Sequence, residues 1–204
     1  MGDVDFAADA GYDELYIRWY QMWGAGYTWG NAGGEEKILT INENPRGGGG
    51  INFGNMRINS TDWETTALNT TAGAFYVLIP EEDVNRQSNI DSTTTESGVW
   101  YAIEVHVILN SANDVADGTL EIWRDNCGAD GLGCTGTQTL VMQHTDIEWV
   151  GTTALPSTNF PDNFGAIWLE NWSNGGGAGA VGESLVDQVI ISENPIGWST
   201  YGLP

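Results

Sequence analysis

The sequence predicts an all-β fold, a two-sheet antiparallel β-sandwich of the jelly-roll type. Three observations carry that prediction. Residues Tyr101 to Asp125 read as an antiparallel hairpin. Apolar Tyr101, Ile103, Val105, Val107 and Leu109 fall at every second position, an Asn/Asp/Gly turn follows, and a second strand ends in Ile122 and Trp123. Elsewhere, short β-branched and aromatic runs alternate with Gly/Asn/Asp/Ser/Thr clusters, and helix-forming Ala/Leu/Lys/Glu runs are absent. The 28 glycines supply turns, and the ten tryptophans far exceed usual use.

In chain order, strands are expected at 3–7, 14–23, 36–42, 51–59, 73–80, 99–110, 118–124, 138–149, 163–171 and 184–192. In the second, Tyr16, Arg18 and Tyr20 share one face. In the fourth, Asn55, Arg57 and Asn59 do, and in the fifth Tyr76 and Leu78. In the sixth, the face opposite the apolar one carries Glu104, His106 and Asn110, so this sheet is expected to present a polar groove. Turns fall at Gly24 to Gly26, Gly30 to Gly34, Pro45 to Gly50, Asp114 to Gly118 and Asn174 to Gly179. The polar, aperiodic stretch from Glu81 to Gly98 is expected to be a long loop bordering the groove. Without tandem repeats, 204 residues fit one jelly-roll domain over 1–204.

Charge excludes two partner classes. Twenty-eight Asp and Glu against six Lys and Arg give a formal net charge of −22. Nucleic acid and anionic membrane are not expected partners, because phosphate neutralisation needs clustered cations. No apolar run approaches ~18 residues, so no transmembrane helix is expected. Met1-Gly2 runs directly into acidic sequence without a basic segment. No signal peptide is expected at this start, although a mature domain whose leader was removed fits equally.

Cys127 and Cys134 flank a Gly-rich loop directly after a strand. Their CX6C spacing, with no further cysteine or nearby histidine, fits a disulfide better than a zinc site, and with it an extracellular or surface-exposed location. The sequons at Asn59, Asn69 and Asn171 agree with that location but recur by chance in a chain this rich in Asn and Thr. No metal site is assigned. Two acidic clusters, Asp3/Asp5/Asp9/Asp13 and Asp125/Asn126/Asp130, carry the hard oxygen ligands that calcium prefers. Neither has the D-x-D-x-D-G spacing, and solvated acidic faces are the alternative.

Several blocks, in order, resemble a known family. Glu14 to Tyr20 (ELYIRWY) is similar to an early E-L-Y-x-R-Y-Y strand. Lys37-Ile38-Leu39 matches a G-G-K-L-type strand, Asn55-Met56-Arg57 an S-x-R element, and Tyr76 to Pro80 (YVLIP) a Y-x-Y-V-P element. Trp100 to Asn110 with Asp117 to Asp125 matches a paired hairpin, and Asp187 to Ser192 followed by Pro195-Ile196-Gly197 matches the closing strand. The chain thus resembles the concanavalin A-like, laminin-G-like jelly rolls. Within them it is most similar to the alginate/glucuronate polysaccharide lyases of the chlorovirus type. The resemblance implies a glycan-binding groove and, in its active form, β-elimination on a uronic acid. Arg57 would neutralise the substrate carboxylate, Tyr76 or His106 would move protons, and Lys37 would assist. Asn55 stands where the family has serine, and Leu78 where it has a second tyrosine.

Each of these residues also has an ordinary reading. His106 on a strand is commonly a hydrogen-bonded structural histidine. Arg18 suits stacking between tyrosines and pairing with Glu14. Trp123, Trp149 and Trp168 are expected in the core. Trp19, Trp23, Trp29, Trp63, Trp100, Trp172 and Trp198 are too many for one core, so some should be exposed, and exposed indoles stack on sugars. Tryptophan next to asparagine, as in Glu170-Asn171-Trp172, is typical of sugar platforms and also occurs at ordinary sheet edges. The expected function is therefore an extracellular carbohydrate-recognising module related to polysaccharide lyases, contacting a glycan through Asn55, Glu104, Glu170 and Trp172. An active lyase using Lys37, Arg57, Tyr76 and His106 is the first alternative. A structural subunit of a viral, filament or cell-surface assembly, with self-association, is the second.

Overall fold

The described residues form twelve strands and no helix: β1 (Gly2–Asp5), β2 (Glu14–Trp23), β3 (Glu36–Asn42), β4 (Met56–Thr61), β5 (Ala72–Ile79), β6 (Val84–Gln87), β7 (Thr95–Glu96), β8 (Trp100–Ile108), β9 (Gly118–Asn126), β10 (Thr139–Ile147), β11 (Ala166–Ser173) and β12 (Ser184–Ser192). The computed structural model describes residues 2–5, 12–27, 36–42, 56–61, 72–79, 84–87, 90, 95–112, 114–149, 164, 166–173 and 182–196. For β1, β4, β5 and β6, for β3 outside Ile38, Leu39 and Ile41, and for β11 outside Ile167, the backbone is described.

Two antiparallel sheets result. The first runs β1-β11-β3-β4-β5-β6, with β7 also paired to β5, and the second runs β10-β9-β8-β2-β12. The chain changes sheet after β1, β2, β7, β10 and β11, the connectivity of a jelly roll. One apolar core lies between the sheets. It joins Ile38, Leu39, Ile41 and Ile167 of the seven-stranded sheet to Leu15, Ile17, Trp19, Ile103, Val105, Val107, Leu120 and Ile122 of the five-stranded one. The predicted alternation of β8 is what delivers three of these side chains.

All ten expected strands are present, with ends shifted by a few residues. The expected loop from Glu81 to Gly98 is corrected, because it contains β6 and β7, both paired to β5. β6 lies at the sheet edge and carries Asn85, Arg86 and Gln87. A short edge strand has one hydrogen-bonded neighbour and tolerates polar residues throughout, so it leaves no apolar period to read.

The β8–β9 hairpin is fastened by side chains. Both oxygens of Asp117 accept from Ser111, from its amide at 2.7 Å and its hydroxyl at 2.6 Å. Asn110, expected on the polar face, serves the turn instead. It donates to the Ala112 carbonyl at 2.7 Å and accepts from the Trp149 amide at 2.9 Å. Gly118 follows because a Cβ there would meet Trp149 Cδ1 at 2.6 Å and the Ile147 carbonyl oxygen at 2.7 Å.

The tryptophan reading is also corrected. Trp19 and Trp23 are fully buried core residues beside Trp149, whereas Trp123 is only half-buried. Trp123 pairs with Glu104, a residue that alternates away from the core, so it belongs to the outer face of the sheet. Trp29, Trp63 and Trp198 lie outside the described residues.

The Cys127–Cys134 disulfide is formed. Cys127 and Cys134 pack with Tyr20, Ala102 and Trp100 in a second cluster, so the cross-linked loop covers one end of that outer face.

Candidate functional site

The outer face of the five-stranded sheet holds a charged network that register assembles. β8 aligns His106 with Tyr16 of β2 on one side and Glu121 of β9 on the other, and Glu104 with Arg18 and Trp123. His106 Nε2 lies 2.8 Å from Glu14 Oε1, and Nδ1 lies 3.0 Å from Glu121 Oε2. Carboxylates only accept, so both contacts are hydrogen bonds when both ring nitrogens carry protons. The Tyr16 ring stacks on His106 at 4.1 Å between centroids, and its hydroxyl donates to Glu14 at 3.0 Å. Gln143 of β10 donates to the other Glu121 oxygen at 2.7 Å. Arg18 lies over the Tyr20 ring and donates to its hydroxyl at 2.7 Å.

Ionisation follows from these contacts. Burial pushes Glu121 up, but hydrogen bonds from His106 and Gln143 and the histidine's charge outweigh it and hold the carboxyl below its ordinary value. Burial raises Glu104 despite the opposing charges of Arg18 and His106. Glu104 Oε2 is buried without a hydrogen-bond partner. Burial, followed by the bond to Glu14 and the surrounding carboxylates, pushes the Tyr16 phenol up to about 12. Tyr16 is thus held protonated and is no base.

These facts correct the expectation of an open groove here. Glu104 is 5% exposed and His106 8%, so β8 is buried on both faces. His106 did not require solvent, because Glu14 and Glu121 meet both of its ring nitrogens, whereas Glu104 is buried beside Arg18 with one oxygen unpartnered. Glu104 is therefore not offered to a polymer at the surface. Glu14 and Glu121 were missed as partners. The face of Glu121 was legible, since alternation through Leu120 and Ile122 sets it on the His106 side, but its pairing with His106, like that of Glu14, needs the register.

The other expected site residues lie on the seven-stranded sheet. Lys37 of β3 aligns with Asn59 of β4, Asn59 with Tyr76 of β5, and Trp172 of β11 with Lys37, giving one row across four strands. Arg57 lies two residues from Asn59 in β4, in the row of Thr40 and Leu78, with the row of Leu39, Ile58 and Val77 between. A register shift between Lys37 and Leu39 brings Lys37 into the Asn59 row. Glu170 lies in β11, two residues before Trp172. Asn55 lies outside the described residues. The sheet thus gathers Lys37, Arg57, Tyr76 and Trp172 on adjacent strands. His106 and Glu104 are not brought to them. They sit on the other sheet, on its face turned away from the core.

Among the described residues, no group of three His, Cys, Asp or Glu side chains is arranged to hold a metal ion. In the acidic cluster by the disulfide, Asp125 accepts from Thr135 and Gly136, Asn126 from the Gly128 amide, and Asp130 from the Leu132 amide. These oxygens fasten the loop. Of the N-terminal cluster, Asp3 and Asp5 lie in β1.

Neither a family model nor a curated protein matches the sequence. Solved structures do match in fold. The alginate lyase Aly36B superposes over 96% of this chain and 80% of its own, with TM-score 0.54 and 15% identity. A variant of Aly36B in complex with an alginate trisaccharide covers 89% of this chain and 71% of its own, with TM-score 0.54 and 12% identity. The alginate lyase vAL-1 from Chlorella virus covers 90% and 72%, with TM-score 0.49 and 11% identity. The fold is a jelly roll like that of the alginate lyase Aly36B.

Proposed function

We propose that this chain is an extracellular carbohydrate-recognising module of polysaccharide-lyase-like fold. Its ligand is a uronate-containing polysaccharide that crosses β11, β3, β4 and β5. The observation that carries this reading is the register row of Trp172, Lys37, Asn59 and Tyr76, with Arg57 two residues along β4 from Asn59. Cations answer uronate carboxylates, an indole or phenol offers a face to sugar C–H groups, and amides answer hydroxyls. The likeness to Aly36B, one variant of which was solved with an alginate trisaccharide, supports a glycan as the ligand class. The disulfide supports the extracellular setting. The net charge of −22 opposes a polyanion at long range, but charges beyond about 8–10 Å are screened at physiological salt. Two cations within the site therefore outweigh distant carboxylates.

The same row favours a second reading, catalysis by β-elimination. Arg57 neutralises the uronate carboxylate and so acidifies the C5 proton. Tyr76, ionised, takes that proton, the electron pair of the C5–H bond forms the C4–C5 double bond, and the C4–oxygen bond breaks as the same phenol returns the proton to the leaving oxygen, with Lys37 assisting. Leu78 removes one phenol that the lyase pattern holds, and Asn55 replaces its serine. His106 takes no part, because it belongs to the other sheet. The test combines calorimetric titration of oligouronates with ultraviolet detection of the unsaturated product. Binding without product supports recognition, and binding with product supports the lyase. Neither, across alginate and glucuronan oligomers, would reject the proposal.

A further inference from the structure

Register extends the face proposed to hold the glycan by a strand on each side. The row of Asn59 and Tyr76 continues onto β6 at Gln87, and the row of Arg57 and Leu78 continues at Asn85. In the other direction the row of Arg57 runs through Thr40 to Trp168 of β11 and on to Asp3 of β1. Trp168 was expected in the core. Its neighbour Ile167 is the core residue, so alternation sets Trp168 on the opposite face. Glu170 stands between Trp168 and Trp172 in β11.

Residue character therefore changes strand by strand. β1 contributes a carboxylate, β11 two indoles, β3 and β4 the cations Lys37 and Arg57, and β6 two uncharged amides. Among the described residues no third cation joins this face. Arg86 of β6 stands in the row of Val77, Ile58 and Leu39, and Leu39 is a core residue, so Arg86 has the opposite parity. Arg18 and Arg124 belong to the five-stranded sheet. Arg46 lies outside the described residues.

We infer, resting on the glycan site proposed above, that this face is matched to one uronate flanked by neutral sugars. The ligand is then a heteropolysaccharide with spaced uronates rather than a polymer of uronate alone. Strands lie about 4.8 Å apart, so the path from β11 to β6 is about 19 Å, or roughly four pyranose units. In a homopolymer every one of those units carries a carboxylate. Arg57 is two strand spacings from β6, and Lys37 is two from β1, each about 10 Å and beyond the Debye length of about 8 Å at physiological salt. A carboxylate over β6 would fall at amides alone, and one toward β1 would fall at Asp3. Such mismatches discriminate against the wrong ligand. Neutral sugars fit both ends, because indoles offer a face to sugar C–H groups and amides answer hydroxyls.

Calorimetric titration of three tetrasaccharides tests this. The deacylated gellan repeat sets one glucuronate between neutral sugars, alginate is uronate throughout, and cellotetraose has none. The gellan repeat should bind about tenfold tighter than the alginate tetrasaccharide, and cellotetraose at least tenfold weaker than the gellan repeat. Gln87→Lys and Asp3→Asn should each tighten alginate binding about threefold or more and leave gellan binding near wild type. Trp168→Ala should weaken gellan binding about fivefold or more. Alginate bound as tightly as the gellan repeat would overturn the inference and leave the glycan site standing. Cellotetraose bound as tightly would overturn it too, by removing the uronate. Alginate affinity indifferent to both charge variants would take β1 and β6 out of the path, and full gellan affinity in Trp168→Ala would do the same for the indole end. No binding of any of the three would reject the glycan site itself and the inference with it. Should a variant fail to fold by circular dichroism, the wild-type ranking of the three sugars decides.

Discussion

Replacing His106 by alanine separates a structural histidine from a catalytic one. The substitution removes two hydrogen bonds to carboxylates and the stacked contact with Tyr16. Hydrogen bonds to charged groups contribute about 1.5–3 kcal/mol each when shielded. The Glu121 side chain is 20% exposed, so its bond keeps a value near ~2 kcal/mol. The Glu14 side chain is 45% exposed, and solvent screening reduces its bond to roughly 0.5–1 kcal/mol. Lost ring stacking adds about 0.5–1 kcal/mol. A loss of about 3 kcal/mol is therefore expected, or roughly 6–12 °C in thermal midpoint for a chain of this size. The pH profile carries a signature. Glu121 is held below its ordinary value, so its contribution is present above the unfolded carboxyl range and is lost as pH falls through its folded value. Urea unfolding should show the gap between wild type and variant narrowing as pH falls below ~4.5. A loss under about 0.5 kcal/mol, or a gap that does not narrow in acid, would refute the network as described.

Three further outcomes follow from local contacts. Gly118→Ala should cost about 2 kcal/mol or more, read as a lowered urea midpoint, because the new methyl group meets Trp149 and the Ile147 carbonyl oxygen below 3 Å. Reducing Cys127–Cys134 should cost on the order of 2–3 kcal/mol, with faster hydrogen exchange around Tyr20, Ala102 and Trp100, which pack against it. Spectrophotometric titration should leave at least one of the seven tyrosines un-ionised at pH ~11, and Tyr16→Phe should reduce that late phase, to which Tyr101, also raised by burial, contributes.

Much of the fold was legible because burial on one face writes a period of two into the chain. Ile103, Val105 and Val107 are core residues where alternation puts them. β6 and β7 were illegible because strands of four and two residues are too short to show a period. The outer face of β8 was misread for a different reason. Residue type alone marks Glu104 and His106 as solvent-facing, but cross-strand neighbours decide whether a charge needs water. Glu14 and Glu121 supply that compensation, and they are visible only once register is known. The separation of His106 from Lys37, Arg57 and Tyr76 has the same origin. Spacing along the chain places each residue on a strand, whereas assignment to one sheet or the other depends on long crossovers that leave no local signal.

The most direct measurement is calorimetric titration of one alginate oligosaccharide into wild type, Arg57→Ala and His106→Ala, each first verified as folded. If the seven-stranded sheet holds the glycan and the His106 network only braces the opposite sheet, Arg57→Ala weakens binding by about tenfold or more, the scale of one lost charge-assisted contact. His106→Ala then binds as the wild type does. Unchanged affinity in Arg57→Ala together with lost affinity in His106→Ala would contradict that assignment and move the glycan to the five-stranded sheet.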